Sequence, residues 1–384
     1  MFEQELKQLE QRHLLRRLTV VEPEGPYVTI SGRKLLLLCS NDYLGLASHP
    51  ALCEAACAAM ERYGFGSGAS RLVSGTSEPH QELERAIARF KGTEAALLFN
   101  SGYAANTGII SAVAREGDVI VSDSLNHASI IDGCRLSKAE VLVFRHRDVD
   151  HAETLLKKSA NARRKLIVTD GVFSMDGDIA PLPDLVALAE RYDAVVMVDD
   201  AHATGVLGET GKGTSEHFHL GNRVHIQMGT LGKAFGSFGA YVAGNRELID
   251  YLINFSRSFI FSTALPPAVC AASKAAIDIV QRGPELREKL WKNRERFVKG
   301  LTARGIDVGF SETPIMPILV GDSQKALMAG EKLFEYGMYA TAIRPPTVPE
   351  GSARIRTTVM ASHSDNDIDQ ALDIFGRLKR EGYL

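Results

Sequence analysis

The sequence predicts a mixed α/β protein, with a large domain built on a mostly parallel sheet and a smaller α+β domain at the C-terminus. Two observations predict this class. From about residue 50, short apolar runs alternate with helical patterns, as strands covered on both faces require. After a long helical stretch over residues 266–304, separated strands and helices follow. We expect an N-terminal arm over residues 1–49, a large domain over 50–285 and a small domain over 286–384.

The predicted elements follow one another in the order that this fold needs. The first is an amphipathic helix over residues 2–17, and further helical patterns cover residues 51–63 and 79–91. The strand patterns lie at residues 27–30, 34–39, 95–99, 119–122, 140–144, 165–169, 194–198, 225–228, 239–243, 316–320, 338–342 and 352–357.

Composition argues against several classes of partner. The 44 Lys and Arg residues and 47 Asp and Glu residues are interspersed and give a net charge of −3, so no basic face for nucleic acid stands out. The apolar runs are too short to cross a bilayer, and the first twenty residues lack the apolar core of a signal peptide. The five cysteines are scattered without a CxxC pair, which argues against a disulfide scaffold or a zinc site. We expect a cytoplasmic protein with no metal, membrane or nucleic-acid partner.

A lysine stands among glycines after a strand pattern, in Gly229-Thr-Leu-Gly-Lys-Ala-Phe-Gly236. The segment is not a P-loop, because Gln227 stands where the first glycine belongs and Ala234 replaces the hydroxyl that holds magnesium. It suits instead a lysine, Lys233, that forms a Schiff base with pyridoxal phosphate (PLP). The glycines let a flat ring and a phosphate approach the backbone, and Thr230 can donate to the phosphate. For this segment alone, a solvated loop lysine is the ordinary alternative.

A carboxylate at the end of another strand pattern supports the PLP interpretation. In Val196-Met-Val-Asp-Asp-Ala-His-Ala-Thr-Gly205 the apolar run ends at Asp199, and parallel sheets bind ligands beyond the carboxyl ends of their strands. A buried carboxylate there keeps a pyridine nitrogen protonated, so that the ring acts as an electron sink. His202 is placed to hydrogen-bond the ring hydroxyl. A metal site is the alternative, but no further ligand-rich segment accompanies the cluster.

Two glycine-containing segments suggest different ligands. Ala96-Leu-Leu-Phe-Asn-Ser-Gly-Tyr-Ala-Ala-Asn106 predicts a strand, a turn and a helix start, whose free N–H groups at Gly102 and Tyr103 suit a phosphate. A capped turn without a ligand fits this segment equally well. Gly64-Phe-Gly-Ser-Gly-Ala69 is similar to a dinucleotide fingerprint and is the support for a nicotinamide-dependent dehydrogenase. That match is weak, because a helical pattern precedes it instead of a strand.

Two more side chains follow strand patterns. His127 comes after the run that ends at Ser122, and its imidazole can stack on a cofactor ring. Ser174 lies in Gly171-Val-Phe-Ser-Met-Asp-Gly177, where it can approach the ring hydroxyl. A surface or core histidine and a simple turn are the ordinary alternatives.

Four motifs together resemble the α-oxoamine synthases, which are PLP enzymes of fold type I, the class of aspartate aminotransferase. The motifs are GTLGKAFG, VDDAHATG, SLNHASIIDG and TDGVFSMDGD, and the similarity runs from LCSNDYLGLA to near the C-terminus. Members of this family join an amino acid to an acyl-CoA with loss of carbon dioxide, and they act as homodimers with sites at the interface. The resemblance implies that Lys233, His127 and Asp199 are catalytic.

The resemblance also implies the ligand contacts. Cofactor contacts are implied at Gly102, Tyr103, His127, Ser174, Asp199, His202, Thr230, Lys233 and, from the other subunit, Thr263. Arg356 would bind the substrate carboxylate with its bidentate fork. Arg16 and Thr347 would contact substrate together with His127, and Arg17 is the alternative to Arg16.

The segment from Ala342 to Gly351 distinguishes members of the family. Its arginine and paired prolines resemble members that join L-alanine to a pimeloyl thioester, carried on CoA or on an acyl carrier protein. The alternative within the family is condensation of glycine with acetyl-CoA. Outside the family, the alternatives are the dehydrogenase and a cofactor-free binding protein.

Overall fold

The computed structural model describes residues 2–384, which divide into two compact units. The larger unit comprises Leu46–Phe173 and Ile179–Arg287. The smaller unit comprises the residues up to Gly45, the short segment Ser174–Asp178 and the C-terminal segment Glu288–Leu384. The three-part division expected from the sequence stays a prediction.

Helices and strands alternate through most of the chain. The helices are α1 Glu3–Gln11, α2 Pro50–Tyr63, α3 Glu78–Lys91, α4 Gly102–Val113, α5 Ala128–Ser137, α6 Val149–Lys158, α7 Leu182–Tyr192, α8 Thr214–His217, α9 Arg246–Phe255, α10 Arg257–Ile260, α11 Pro267–Arg282, α12 Glu285–Ala303, α13 Ser323–Glu335 and α14 Asp365–Arg380. The strands are β1 Glu22–Glu24, β2 Tyr27–Ile30, β3 Arg33–Leu37, β4 Ala95–Phe99, β5 Val119–Asp123, β6 Glu140–Phe144, β7 Lys165–Asp170, β8 Val195–Asp199, β9 Ile226–Thr230, β10 Ala240–Gly244, β11 Ile315–Gly321, β12 Met338–Tyr339, β13 Thr341–Ile343 and β14 Ala353–Thr358. Across the described residues, no helix has both the length and the apolar character needed to cross a membrane.

Seven strands of the larger unit form one sheet in the order β4-β10-β9-β8-β7-β5-β6. Strand β10 runs antiparallel to both of its neighbours, whereas the other six run parallel to one another. The register places Asp170 of β7 beside Asp199 of β8, and Asp199 beside Met228 of β9. The predicted α/β class with a mostly parallel sheet is confirmed.

Each face of this sheet is buried against helices. Alternate strand residues point to opposite faces, so Ile120 and Met197 belong to one apolar core and Val121 and Val196 to the other. Helices α4, α5 and α9 contribute to the first core, and α6 and α7 contribute to the second. Burial on both faces explains why the sequences of these strands are continuous apolar runs.

A buried ion pair fixes the chain just after β8. Lys91, at the end of α3, places its Nζ 3.2 Å from Asp200 Oδ2, and both side chains are fully buried. Thr214 Oγ1 donates to Asp200 Oδ1 at 2.6 Å. Asp200 therefore has partners within the protein interior, while its neighbour Asp199 lies on the strand end.

The smaller unit contains two further sheets. One has the order β1-β2-β3-β12 and the other has the order β11-β14-β13. His363, which follows β14, donates from Nε2 to Leu37 O at 3.0 Å, while its Nδ1 accepts from the Met360 N–H at 3.0 Å. These contacts hold a buried neutral imidazole in this unit.

Three predicted elements differ from the structure. One helix is shorter than predicted, and one helix and one strand are each divided into two. The helix over residues 2–17 ends at Gln11, because the chain turns at His13 with a φ of 56° and α1 buries none of its residues. The helical stretch over 266–304 is two helices, because Gly283-Pro284 separates α11 from α12. The strand over 338–342 is two short strands that belong to different sheets.

Candidate active site

The parallel strands of the larger unit end at one edge of the sheet, and most of the predicted cofactor residues lie there. Strand β4 leads to Gly102, β5 to His127, β7 ends at Asp170, β8 ends at Asp199, and β9 ends at Thr230 and leads to Lys233. We call these six residues the sheet-edge cluster. Local sequence explains the arrangement, because each apolar strand is followed directly by polar or small residues that cannot extend the core.

Asp199 is the most firmly held carboxylate of the cluster. Asn106 Nδ2 donates to its Oδ2 at 2.7 Å, and the backbone N–H of Ala201 donates to its Oδ1 at 2.8 Å. Burial raises the pKa of Asp199, whereas the charge of Lys233 and these two hydrogen bonds oppose that rise. Both oxygens are thus oriented by donors.

Asp170 is a second buried carboxyl group beside Asp199. Its Oδ2 accepts the backbone N–H of His127 at 2.7 Å, and its own N–H donates to Asn126 Oδ1 at 2.8 Å. Burial and the neighbouring charge of Asp199 raise the pKa of Asp170 well above its ordinary value. Since two adjacent buried carboxylates repel each other, the charge of Asp199 favours the protonated form of Asp170.

His127 caps helix α5 and carries a neutral imidazole. Its Nδ1 accepts the backbone N–H of Ser129 at 3.2 Å and lies 2.7 Å from Ser129 Oγ. Burial lowers the pKa of His127, and the charge of Lys233 lowers it further against the opposing effect of Asp199. Lys233 itself is half-buried in the turn after β9, where its carbonyl accepts the N–H of Gly236 at 2.8 Å.

The start of helix α4 provides an anion-binding corner. Ser101 caps the helix by accepting the Ala104 N–H at 3.1 Å, and the N–H groups of Gly102 and Tyr103 precede the first intrahelical bond. A Cβ at Gly102 would lie only 2.8 Å from Thr230 Cγ2, so a larger residue would fill this corner. Beside it, Asn100 Nδ2 donates to the carbonyl of Thr263 at 2.8 Å.

Two other predicted cofactor residues of the larger unit lie at different depths. His202 is buried in the turn that follows Asp199. Tyr103 is exposed, and its hydroxyl donates to the carboxylate of Asp132. The Tyr103 ring is therefore oriented by a surface carboxylate at the mouth of the anion-binding corner.

Arg356 and Ser174 meet within the smaller unit. Arg356 Nε donates to the backbone carbonyl of Ser174 at 2.6 Å, and its Nη2 donates to Asn41 Oδ1 at 3.2 Å. Arg356 is 6% exposed on strand β14. Two of its donor nitrogens are engaged, so the guanidinium is oriented before any ligand binds.

A second pair in the smaller unit joins the N-terminal arm to the segment between β13 and β14. Arg16 Nη2 donates to Thr347 Oγ1 at 2.9 Å, and Arg344 donates to the carbonyl of His13. Arg17 pairs instead with Glu10 at 3.2 Å. We call the Arg16–Thr347 pair the arm contact. The structure thus joins the two residues that the sequence predicted as substrate contacts and gives Arg17 a different partner.

Asn106, Ser129 and Asp170 are site residues that the sequence patterns did not predict. All three stand inside the motifs described above, beside residues with predicted roles. The role of Asp170 could have been predicted, because this residue ends an apolar strand pattern just as Asp199 does. The roles of Asn106 and Ser129 could not be predicted from local sequence, because their contacts join separate helices.

A cavity of about 320 Å³ lies at the opposite edge of the same sheet. Residues at the starts of β7, β8 and β9 line it, including Leu166, Val195 and Ile226. None of the sheet-edge cluster contributes to its lining. The buried titratable groups that perturb one another's pKa values, His127, Asp170 and Asp199, lie instead at the carboxyl edge.

The chain belongs to the aminotransferase class I and II family, whose model matches residues 33–375. Among its relatives is the 8-amino-7-oxononanoate synthase of Geobacter sulfurreducens, which is 55% identical over 380 residues, covering 98% of this chain and 97% of the relative. The 8-amino-7-oxononanoate synthase 1 of Bacillus subtilis is 50% identical over 378 residues, covering 98% of this chain and 96% of the relative.

Solved structures show the same fold. Serine palmitoyltransferase from S. paucimobilis, with bound PLP–myriocin aldimine, matches with a TM-score of 0.95 and 33% identity, covering 99% of this chain and 98% of that chain. The 8-amino-7-oxononanoate synthase from Francisella tularensis matches with a TM-score of 0.77 and 30% identity, covering 91% of this chain and 99% of that chain. The resemblance to PLP enzymes of fold type I is confirmed.

Proposed function

We propose that the chain condenses L-alanine with a pimeloyl thioester to give 8-amino-7-oxononanoate for biotin biosynthesis, with PLP as cofactor. The observation that carries this proposal is the identity of 50–55% over nearly the whole chain to relatives that bear that enzyme's name. The sheet-edge cluster supplies the groups that such a reaction needs.

The residues of the sheet-edge cluster fit PLP. They combine an amine on Lys233, a buried carboxylate on Asp199 and an anion-binding helix start at Gly102, whose missing Cβ leaves room for a phosphate. When bound, PLP supplies an electron sink that stabilises negative charge on the substrate's α-carbon. Lys233 would hold the aldehyde carbon and Asp199 the pyridine nitrogen.

The remaining cofactor contacts are proposed from the family resemblance. Gly102, Tyr103 and Thr230 would bind the phosphate, together with Thr263 of the partner subunit. His202 and Ser174 would hydrogen-bond the ring hydroxyl. His127 would stack on the ring, which suits the neutral imidazole that its contacts maintain.

The chain's own residues then bind alanine and move its protons. Arg356 would bind the alanine carboxylate, since its guanidinium is already oriented by Ser174 and Asn41. The Lys233 amine would remove the α-proton of alanine as a general base. The α-carbon bonds to the thioester carbonyl while the C–S bond breaks and the thiol leaves. The carboxylate then departs as carbon dioxide, and Lys233 returns a proton to the α-carbon.

The arm contact is the proposed site for the acyl substrate. Arg16 and Thr347 lie together on the surface of the smaller unit, and burial, with a further contribution from the charge of Arg16, lowers the pKa of the nearby Arg344. Two close guanidinium groups repel each other, so an anionic group of the acyl substrate would relieve that repulsion. We propose that Arg16, Arg344 and Thr347 contact the pimeloyl substrate.

We further propose a homodimer in the cytoplasm. Large aromatic side chains are exposed on the larger unit, with Phe65 80%, Phe238 56% and Phe261 71% exposed. Phe261 is two residues from Thr263, which we propose to enter the partner's phosphate site. Exposed aromatic residues are enriched where proteins associate, so these three side chains support self-association.

A competition between thioesters tests the function. We expect alanine with a pimeloyl thioester to exceed glycine with acetyl-CoA by at least about a hundredfold in kcat/KM, because each buried methylene contributes about 0.8 kcal/mol. A visible absorption band that disappears on borohydride reduction would distinguish a PLP enzyme from a dehydrogenase or a cofactor-free binding protein. Equal or reversed rates would overturn the choice of substrates and leave the family chemistry.

A further inference from the structure

Two buried polar residues connect Asp199 to His127. Asn106 of helix α4 donates from Nδ2 both to Asp199 Oδ2 at 2.7 Å and to Ser129 Oγ at 2.9 Å. Ser129 of helix α5 in turn meets His127 Nδ1 through its hydroxyl at 2.7 Å and through its N–H at 3.2 Å. Asn106 and Ser129 are both fully buried. The carboxylate and the imidazole are thus the two ends of one hydrogen-bonded chain.

The direction of each hydrogen bond in this chain is determined. The backbone N–H of Ser129 can only donate, so His127 Nδ1 is an acceptor and the imidazole proton lies on Nε2. Ser129 Oγ accepts from Asn106 and donates its own proton towards Nδ1. The proton on Nε2 is then held on the edge of the ring away from helix α5.

The orientation of the Asn106 amide is also determined, and it has a cost. Its Oδ1 is buried without a hydrogen-bond partner among the described residues. Turning the amide over would place that oxygen against the Asp199 carboxylate, which repels it. An unpaired buried acceptor is destabilising, so this orientation of the amide is maintained by the two donors that it directs at Asp199 and Ser129.

We propose that Asn106 and Ser129 are positioning residues that orient Asp199 towards the pyridine nitrogen and hold His127 with its proton on Nε2. This inference rests on the proposed function for the roles of Asp199 and His127, but the hydrogen-bonded chain can be tested without turnover. The charged or titratable groups that face the His127 ring are Asp199 and Lys233, and Asp170 binds its backbone N–H. Any pH dependence of His127 reflects these three groups.

The first experiment measures which nitrogen of the His127 imidazole carries the proton. In ¹⁵N-histidine NMR of the holoenzyme at neutral pH, the His127 signal, identified by its loss in His127→Gln, should show an unprotonated Nδ1 and a protonated Nε2. A protonated Nδ1 would overturn the proposal. This result does not depend on which substrates the enzyme uses.

The second experiment removes the Asn106 amide. In Asn106→Leu the charged form of Asp199 loses a hydrogen bond, so its pKa should rise. The acid limb of the kcat profile and the pH titration of the cofactor absorption band should both move to higher pH by about one to two units, which is the size of one hydrogen bond to a charged group. Because Leu also removes the unpaired oxygen, the melting temperature should change little. Unmoved titrations in a folded variant would contradict the proposal.

The third experiment compares two buried serines of helix α5. Ser129→Ala should lower kcat about tenfold, which is the size of one hydrogen bond. Ser137→Ala is the matched control, because Ser137 is also buried and donates to Cys134 O at 2.6 Å. The control should change kcat by less than about twofold, because the Ser137 hydroxyl is not part of the hydrogen-bonded network that joins Asp199 to His127. Equal effects would show that Ser129 is merely structural. A wild-type enzyme that cannot use alanine and pimeloyl thioester would defeat the proposed function and leave the NMR and absorption results to decide this inference.

Discussion

The sheet-edge cluster and the arm contact are built in opposite ways. In the cluster, Asp199 is 3% exposed and both of its oxygens are bound by donors on neighbouring elements. In the arm contact, Arg16 and Thr347 are exposed and share one hydrogen bond of 2.9 Å. A buried network holds groups in one geometry, whereas an exposed contact contributes little and is easily rearranged. Residues that would perform the chemistry are thus fixed by burial, and residues that would select the acyl group are not.

The largest effect should come from the amine of the cluster. We expect Lys233→Ala to lower turnover by more than about a thousandfold, because it removes both the covalent attachment and the general base. The variant can still bind the cofactor through the other contacts. Peptide mapping after borohydride reduction should find PLP on Lys233 in the wild type, and label on a different lysine would end the assignment.

The next largest effect should come from Asp199. In Asp199→Asn the charge that keeps the pyridine nitrogen protonated is lost, so kcat should fall about a hundredfold while cofactor occupancy falls much less. Equilibrium dialysis of PLP and steady-state rates measure the two quantities. Near-normal rates would mean that another carboxylate acts, although Asp200 is already paired with Lys91.

Acid should affect the two units in opposite directions. Burial lowers the pKa of His363 in the smaller unit to about 4, below its unfolded value of about 6.5, so its contribution to stability is present above pH 6.5 and is lost as pH falls towards 4. Between pH 7 and pH 5 this loss is about 2 kcal/mol. Asp170 of the cluster has a raised pKa, so its contribution to stability grows as pH falls.

Urea unfolding at pH 7 and pH 5 measures this difference. The His363→Gln variant should lose most of the decline in unfolding free energy between the two pH values, because its side chain does not titrate. His217→Gln, at an exposed histidine, is the control and should keep the wild-type decline. An unchanged slope in His363→Gln would refute the assignment.

The smallest effect should come from the arm contact. Thr347→Ala should lower kcat/KM for the pimeloyl thioester only about threefold, because one exposed hydrogen bond is lost. The cofactor absorption band should stay unchanged, as it should in the control Thr302→Ala on the exposed face of α12. A loss as large as that of Asp199→Asn would show that the arm is held as firmly as the cluster.

The difference between the sheet-edge cluster and the arm contact also explains which site residues the sequence could predict. Lys233, Asp199 and Gly102 were found because apolar strand patterns end beside them, and parallel strands bring their ends to one edge. The arm was predicted less well. Its helix ends at Gln11 instead of residue 17, and the partners in the arm contact are 331 residues apart. Asn106 and Ser129 were missed because their bonds depend on how α4 packs against α5, which no local pattern records.

The buried pair of Lys91 and Asp200 restricts how this sequence can change over time. Replacing one partner alone leaves an uncompensated charge in the interior, which costs roughly 3–5 kcal/mol, whereas replacing both with apolar residues of similar volume is often neutral. The glycines around Asp200 are restricted as well, because a Cβ at Gly213 would lie 2.2 Å from Asp200 Oδ2 and one at Gly171 would lie 2.4 Å from Oδ1. We therefore expect these four positions to vary together across descendants of this gene or not at all.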